Sequence, residues 1–414
     1  MIKTGKQPIS IATYCAIMSI SLVVNLPGLA VTPMLGSLSE IFPHTTQLEK
    51  QLLTILPNVI IIPFVLLSGK LSLSRHKNFV VVSGLILFTL CGVAYMMADS
   101  MAGLIIISCL LGCGAGLLIP FSPGLISDTF AGPYRMRAMG VKSGVSNLAL
   151  VVATFVVGWL SHGSDWHLPL LVYLISIIPL CLAFRLPKQE MDDAPESSRQ
   201  TPAVGHAPGA SSGGKLIGGL YVGRLTALIG VYAFITFGTI AVTYYCPFLI
   251  EKHAWGTSLT GTVTAIFYLF MLIPGFTLGW MVKCLRSHAF FITGVMMAAG
   301  LALFAFFPQP WTMCVGSALA GLGYGICQPL IYDKASDSAA SGRNATLALS
   351  IVLAANYTAI VLTPFIIDGF RLLFHAEGIS TFAFIMNFIL LSAYAVLALL
   401  CRKSFAFNVS EDYY

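Results

Sequence analysis

Amide and hydroxyl side chains stand inside the long apolar stretches of this sequence, where an unpaired polar group is costly. Two of them, Asn147 and Asn356, follow glycine-rich runs and lie 209 positions apart. Removing an amide or hydroxyl from water without a hydrogen bond costs several kcal/mol, so each such group pairs with a neighbouring helix or with a polar ligand. The apolar stretches hold no Ser/His pair, paired carboxylates or metal-ligand cluster. The pattern therefore indicates ligand recognition by hydrogen bonds, and we expect no enzyme activity, no cofactor and no metal.

The two asparagines belong to a segment that occurs twice. Its first copy consists of Gly112, Gly114, Gly116, Pro120, Ser127, Asp128, Arg135 and Asn147, and its second of Gly321, Gly323, Gly325, Pro329, Ser336, Asp337, Arg343 and Asn356. Matched positions lie 209 apart, except the two arginines, which lie 208 apart. Such an ordered set indicates two homologous halves. Glycines one turn apart in apolar runs are typical of close contacts between membrane helices. A nucleotide-binding glycine loop would need a preceding strand, which the sequence does not have.

The composition places the chain in a membrane. Only 9% of its 414 residues are charged, 57% are hydrophobic, and the mean hydropathy is +0.87, whereas a soluble domain carries about 25% charged residues. A helix needs ~20 residues to cross the hydrocarbon core. Twelve apolar segments meet or approach that length: 9–31, 48–68, 78–98, 103–126, 138–160, 168–185, 223–248, 259–282, 289–307, 311–332, 346–368 and 380–401.

The basic residues orient these segments. With the N-terminus inside, 19 of the 22 Lys and Arg residues fall in inner segments, and this bias predicts that both termini face the cytoplasm. Residues 186–219 are rich in Pro, Gly and Ser and predict a flexible cytoplasmic linker. The linker separates an N-terminal six-helix bundle, 1–185, from a C-terminal six-helix bundle, 220–414.

Twelve spans in two halves, joined by a central cytoplasmic linker, resemble the major facilitator superfamily. The tract 69–77 is similar to that superfamily's loop signature, Gly-x-Leu-x-Asp-Arg-x-Gly-Arg-Lys, in which Gly69 and Leu71 match and Leu73 replaces the Asp. Within the superfamily the chain most resembles the 12-span branch of drug:proton antiporter type. It departs from that branch at Ser108 and Leu111, which replace the Arg and Gln of Arg-x-x-Gln-Gly, and in lacking a fifth-span Gly-Pro motif.

The resemblance implies an all-α membrane protein whose 12 transmembrane helices form two pseudo-symmetric six-helix bundles, the major facilitator fold. Members bind substrate near the bilayer midplane, between the bundles, and expose it alternately to each side. Polar groups of the spans around that cavity are the candidate substrate-binding residues: Asn25, Asn58, Ser122, Asn147, Thr236, Tyr244, Tyr268, Gln328, Tyr332, Asn356 and Tyr357. Helix–helix hydrogen bonding is the alternative role for each of them. Asn147 and Asn356 are favoured as ligand contacts because they are equivalent in both halves.

Charged and small residues at the inner ends of the spans are candidate gate elements. These are Asp128, Arg135, Asp337, Arg343, Gly69 and Arg75. We expect Asp128 to pair with Arg135, and Asp337 with Arg343, so that the pairs hold the inner side closed and break when it opens. Solvated loop charges are the alternative.

These observations favour a secondary active transporter of the bacterial inner membrane that exports a small organic solute by alternating access. Since no Asp, Glu, Lys or Arg stands in the middle of a span, we expect an amphipathic or uncharged solute. The missing antiporter motifs keep a metabolite uptake carrier or uniporter open, and a non-transporting sensor on a carrier fold is a further alternative. The expected partners are the solute, membrane lipid and protons as coupling ion, with no nucleic acid and no second subunit.

Overall fold

The computed structural model of the chain describes residues 1–28, 41–42, 47–74, 77–160, 165–187, 216–255, 257–375 and 378–413, and these residues are almost entirely helical. The helices of the first half are α1 (Ile11–Ser19), α2 (Ser21–Val24), α3 (Gln47–Leu71), α4 (Lys77–Tyr95), α5 (Met101–Leu118), α6 (Phe121–Thr129), α7 (Gly132–Leu160) and α8 (Ile177–Leu182). A 3-10 helix, Leu168–Ser176, precedes α8. The helices of the second half are α9 (Val222–Lys252), α10 (Thr257–Leu285), α11 (Ala289–Phe306), α12 (Pro310–Asp337), α13 (Gly342–Leu373) and α14 (Ile379–Leu400).

The helices are those of a multi-pass membrane protein. Nine helical runs among the described residues are long and apolar enough to cross a membrane, and one of them, Leu259–Phe306, contains both α10 and α11. Two shorter apolar helices, Ile11–Val24 and Ile55–Leu71, lie in the first two predicted spans. The all-α membrane fold is thereby confirmed. The count of twelve crossings stays a prediction, because residues 29–40 and 43–46 fall outside the described part of the chain.

The fourth span is broken where its sequence demands it. Ser100 starts α5 by accepting a hydrogen bond from the backbone N–H of Gly103, 3.1 Å away, which satisfies one of the free donors of the first turn. The helix ends at Leu118, and α6 begins at Phe121, directly after Pro120. Proline has no N–H to donate and interrupts the helical ladder, so α5 and α6 meet at a joint that lies nearer to Thr129 than to Met101.

The repeated glycines pack in the same way in both halves. A Cβ built on Gly112 would lie 2.8 Å from the carbonyl oxygen of Pro57, and one on Gly321 would lie 2.4 Å from that of Phe267. One turn on, Gly116 meets α3 and Gly325 meets α10 in equivalent contacts. Only glycine permits so close an approach of two backbones. The duplicated sequence therefore corresponds to a duplicated contact, α3 with α5 and α10 with α12.

Two pairs of helices make the most extensive contacts between the halves. The helix α7 packs along α10, and α3 packs along α13. Gly144 and Gly275 face each other so closely that a Cβ on Gly275 would lie 2.4 Å from the Gly144 Cα. The linker predicted for 186–219 lies outside the described residues from 188 to 215. Its last part forms a short hairpin, Leu216–Ile217 with Leu220–Tyr221, turned by two glycines of positive φ.

Candidate functional site

A cavity of about 110 Å³ lies between the two halves. Nine of the eleven predicted substrate-binding residues line it: Asn25, Asn58, Thr236, Tyr244, Tyr268, Gln328, Tyr332, Asn356 and Tyr357. Its apolar wall includes Val24, Ile119 and Leu150 from the first half and Phe267, Met271 and Leu353 from the second. The cavity is of the size that a few water molecules fill, and helices of both halves enclose it.

Two predicted residues lie away from the cavity surface. The hydroxyl of Ser122 is fully buried and bonds to that of Ser21, 2.8 Å away, which joins α6 to α2. Asn147 is fully buried as well; its Oδ1 accepts from Asn25 Nδ2 at 3.2 Å, and its Nδ2 donates to the Met271 carbonyl at 3.3 Å. Both side chains make helix–helix hydrogen bonds in this conformation, and their role as substrate contacts stays a prediction.

The equivalent asparagine of the second half behaves differently. Asn356 lines the cavity and accepts a hydrogen bond from Thr236 at 2.5 Å. This bond joins α9 to α13, as the bond between Asn25 and Asn147 joins the first span to the fifth. The symmetry predicted for the two asparagines therefore appears in the helices that they join. Asn356 holds the wall of the cavity and also presents an amide to it.

A cluster of tyrosines forms the polar wall on the second half. Tyr232 lies at its centre, fully buried, with its hydroxyl 2.9 Å from that of Tyr332 and 3.5 Å from that of Tyr324. Gln328 Nε2 donates to the same hydroxyl at 3.2 Å. Sequence reasoning missed Tyr232 because it considered each polar side chain alone. Tyr232 precedes Thr236 by four residues, and this spacing, which the sequence shows, places both side chains on one face of α9.

The inner side is defined here as the side that carries the ends of α3, α6 and α10 and the beginnings of α7 and α13; it is predicted to face the cytoplasm. The two halves close on each other there. Ser143 of α7 donates to Gln328 Oε1 of α12 at 2.8 Å. A Cβ on Gly69 at the end of α3 would lie 1.9 Å from Ser350 Oγ of α13. The cavity is therefore shut off from the inner side by contacts between the halves.

Ion pairs across the halves reinforce this closure, although not those predicted. Arg135 Nε lies 2.6 Å from Asp333 Oδ1, and Arg135 Nη2 lies 2.6 Å from Asp337 Oδ1. Asp128 instead pairs with Lys77 within the first half, at 3.3 Å. The predicted pair of Asp128 with Arg135 is wrong, because Arg135 stands on the face of α7 that meets the second half. The side chain of Arg343, and the whole of Arg75, lie outside the described residues.

Side chains of the N-terminal segment, residues 1–10, and of the C-terminal segment, residues 401–413, form hydrogen bonds beside these ion pairs. In the N-terminal segment, Lys6 Nζ donates to the carbonyls of Ser127 and Asp128 at 3.1 and 2.8 Å, and burial lowers the pKa of its amine. In the C-terminal segment, the Tyr413 hydroxyl donates to Asp333 Oδ2 at 2.5 Å. Burial, with the Asp333 carboxylate beside it, raises the pKa of the Tyr413 phenol, so Tyr413 is a neutral donor near pH 7.

The rest of the C-terminal segment is packed onto the second half. Lys334 Nζ donates to the carbonyls of Phe405, at 2.7 Å, and Asn408. The Phe407 ring is 4% exposed and lies against the rings of Phe290 and Tyr394. The segment thus holds Tyr413 in place beside Asp333.

Lys142 is a charged residue that the sequence analysis assigned to an inner loop. The structure places it within α7, 2% exposed, with its Nζ 4.8 Å from the centroid of the Tyr332 ring. The Lys142 ammonium group makes no hydrogen bond or ion pair with the residues that the structure describes. Lys142, counted among the basic residues of the inner segments, is therefore a buried residue near the inner end of the fifth span.

Comparisons with known proteins agree with this architecture. The family model described as "Major Facilitator Superfamily" matches residues 9–256. "Multidrug transporter protein MdtP" of Bacillus subtilis (strain 168) is 25% identical over 358 residues, which cover 74% of this chain and 64% of that protein. "Multidrug efflux pump SdrM" of Staphylococcus aureus (strain N315) is 25% identical over 186 residues, which cover 44% of this chain and 40% of the pump. The match thus spans less than two-thirds of either relative's length.

Solved structures share the fold at low sequence identity. The human organic anion transporter MFSD10 (TETRAN) superposes with a TM-score of 0.69 at 14% identity, covering 93% of this chain and 100% of that chain. The proton:xylose symporter XylE, bound to 6-bromo-6-deoxy-D-glucose, superposes with a TM-score of 0.73 at 14% identity, covering 97% of this chain and 98% of that one. At 14% identity these structures show that the fold is shared and nothing more. The family model matches more than half of the sequence and therefore shows the family. The chain belongs to the major facilitator superfamily.

Proposed function

We propose that the protein is a secondary transporter that exports small amphipathic organic solutes by alternating access. The observation that carries the proposal is a cavity whose walls come from both halves, with Gln328 bonded across the interface at its inner end. Separation of α7 from α10 and α12 would open that cavity to the inner side. The two bacterial relatives, a multidrug transporter and a multidrug efflux pump by name, support export as the direction.

The lining favours an amphipathic solute. Its polar groups are amides and phenols that can donate or accept hydrogen bonds, and they concentrate on the second half. The wall from the first half is mostly aliphatic, formed by Val24, Ile119 and Leu150. A solute with one polar and one apolar end would satisfy both walls, which is the usual composition of a ligand pocket.

Flux in proteoliposomes tests the proposal. Purified protein is reconstituted, and uptake of a panel of amphipathic dyes and metabolites is measured with and without a pH gradient. We expect gradient-dependent movement of at least one amphipath, and we expect N356A to reduce it about tenfold or more, since the amide both lines the cavity and holds Thr236. Phe365 is 70% exposed on the same helix, so F365A is the matched control.

The outcomes separate the alternatives. Solute movement that the pH gradient does not drive would indicate a uniporter, and accumulation toward the inner side would indicate an uptake carrier. Equal transport activity of N356A and F365A would show that the cavity does not bind the transported solute. A folded, reconstituted protein that moves no compound above the level of empty vesicles would refute transport and favour the sensor.

A further inference from the structure

We propose that Lys142 makes the cavity selective for solutes that carry an acidic group, so that the transported compounds are amphipathic anions. This inference rests on the proposed transport function and narrows its substrate class. It starts from a charge without a counter-charge. The Lys142 side chain is 2% exposed, and no carboxylate of the described residues lies within ion-pair distance of its Nζ. An ammonium group taken from water in this way is costly unless something compensates it.

The neighbouring aromatic ring compensates it only in part. Lys142 Nζ lies 4.8 Å from the centroid of the Tyr332 ring, within the range at which a ring face attracts a cation. The same ring lines the cavity on its other side. Tyr332 therefore contacts the ammonium group and also lines the space that the solute would occupy, so that Lys142 lies one side chain away from the cavity.

Nothing in the lining opposes this field. None of the described residues that line the cavity is an Asp, Glu, Lys or Arg. Among the elements packed against α7, α12 carries Asp333 and Asp337, α6 carries Asp128, and the C-terminal turn carries Glu411 and Asp412. The aspartates of α12 and α6 are already paired with Arg135 or Lys77, and Glu411 is exposed to solvent. In a closed, poorly hydrated site a charge acts more strongly than at the surface. The cavity should therefore attract an anion and repel a cation.

The position of Lys142 links anion binding to closure. Its neighbour Ser143 makes the hydrogen bond to Gln328 across the halves, so Lys142 is buried by the same contact that shuts the inner side. When α7 moves away from α12, the ammonium group becomes accessible to water and no longer needs a partner. A solute carboxylate, sulfonate or phosphate would supply the missing counter-charge during closure. An anionic solute is therefore expected to favour the closed inner side.

Three probes that share one benzene ring and differ in charge test the proposal: a benzoate, its primary amide and a phenyltrimethylammonium compound. Binding to the purified, detergent-solubilised protein is measured by calorimetry and by thermal stabilisation, and flux is measured separately in proteoliposomes. We expect the carboxylate to bind about tenfold more tightly than the amide, the effect of one partly screened charge pair, and the cation to bind most weakly. K142Q should abolish the preference and K142R should keep it. Lys283 is exposed at the inner end of α10, and K283Q, with the same change of charge, should behave as the wild type.

The results distinguish failure of the inference from failure of the transport function. Equal binding of the three probes to the wild type, or a carboxylate preference that survives in K142Q, would overturn the anion site even where flux is observed. A carboxylate preference that depends on Lys142, in a protein that moves none of the probes, would support the site and overturn transport. The comparison of probes on the wild type needs no variant, so a poorly folded K142Q would not leave the proposal unexamined.

Discussion

Replacing Arg135 by glutamine should shift the protein toward a conformation that is open on the inner side. Arg135 of α7 is the residue that joins two carboxylates of α12, Asp333 and Asp337, each at 2.6 Å. In an inner-open conformation these groups would be hydrated and separated. The substitution therefore removes stabilisation from the closed conformation alone, and R135Q changes the balance between the two.

The size of the shift follows from the burial of the two pairs. The Asp333 side chain is 3% exposed, and removal of one partner from a buried pair costs about 3–5 kcal/mol. The Asp337 side chain is 46% exposed, and such a pair contributes at most about 1 kcal/mol. Tyr413 would still donate to Asp333, which places the total near the lower end, at about 3 kcal/mol. Since 1.4 kcal/mol is tenfold, the ratio of open to closed protein should rise about a hundredfold.

Distances between spin labels measure the shift directly. Tyr134 and Lys283 are exposed at the inner ends of α7 and α10, so labels on cysteines introduced there report the separation of the halves without disturbing the ion pairs. We expect a longer distance to dominate in R135Q, while R185Q, which removes an exposed arginine elsewhere on the inner side, should keep the wild-type distribution. An unchanged distribution in R135Q would show that the ion pairs do not hold the closure, and would refute the gate reasoning.

Two further changes test the same closure from other sides. Y413F removes the hydroxyl that donates to Asp333. It should lengthen the label distance in a smaller fraction of molecules than R135Q does, because the lost hydrogen bond contributes about 1–2 kcal/mol. An effect as large as that of R135Q would mean that the C-terminal segment, and not Arg135, controls closure. G275A should prevent full closure, because its Cβ would lie 2.4 Å from the Gly144 Cα, whereas G261A on the same helix meets nothing within 4 Å and should leave the label distances unchanged. Identical distances in the two alanine variants would contradict the close approach of α7 and α10.

Most of the fold could be predicted from the sequence, because its main determinants are local and occur in both halves. Apolar length identifies membrane helices, and the glycines of the duplicated segment mark the contacts between them. Gly112 and Gly321 were matched by their offset alone, and each meets a backbone carbonyl of a helix of its own half, α3 for Gly112 and α10 for Gly321. Polar residues in the spans were also a good guide to the cavity, since nine of the eleven line it.

The partners of the charged residues were not readable in the same way. The prediction paired Asp128 with Arg135 because they are close in sequence, and repeated that pairing in the second half. The structure pairs Arg135 with a different half of the molecule, and this choice depends on how the halves are apposed. Lys142 was misplaced for a related reason. The count of basic residues assigned Lys142 to the inner segment before the fifth span, although it lies ten residues after the start of α7. Only the packing of α12 against α7 shows that Lys142 is buried.

The two halves share a scaffold but have diverged in the chemistry of the site. At the offset of 209, Tyr324 and Gln328 of the polar wall correspond to Ala115 and Ile119 in the first half. Ile119 lines the same cavity as an apolar side chain. The duplication therefore accounts for the frame, through glycine contacts that must be kept in both copies, and it leaves the lining free to differ. A cavity with its phenols on one side and mostly aliphatic groups on the other orients whatever it binds. A solute would place its polar end toward α9 and α12, the wall that Lys142 approaches through the Tyr332 ring, and its apolar end toward α2 and α7.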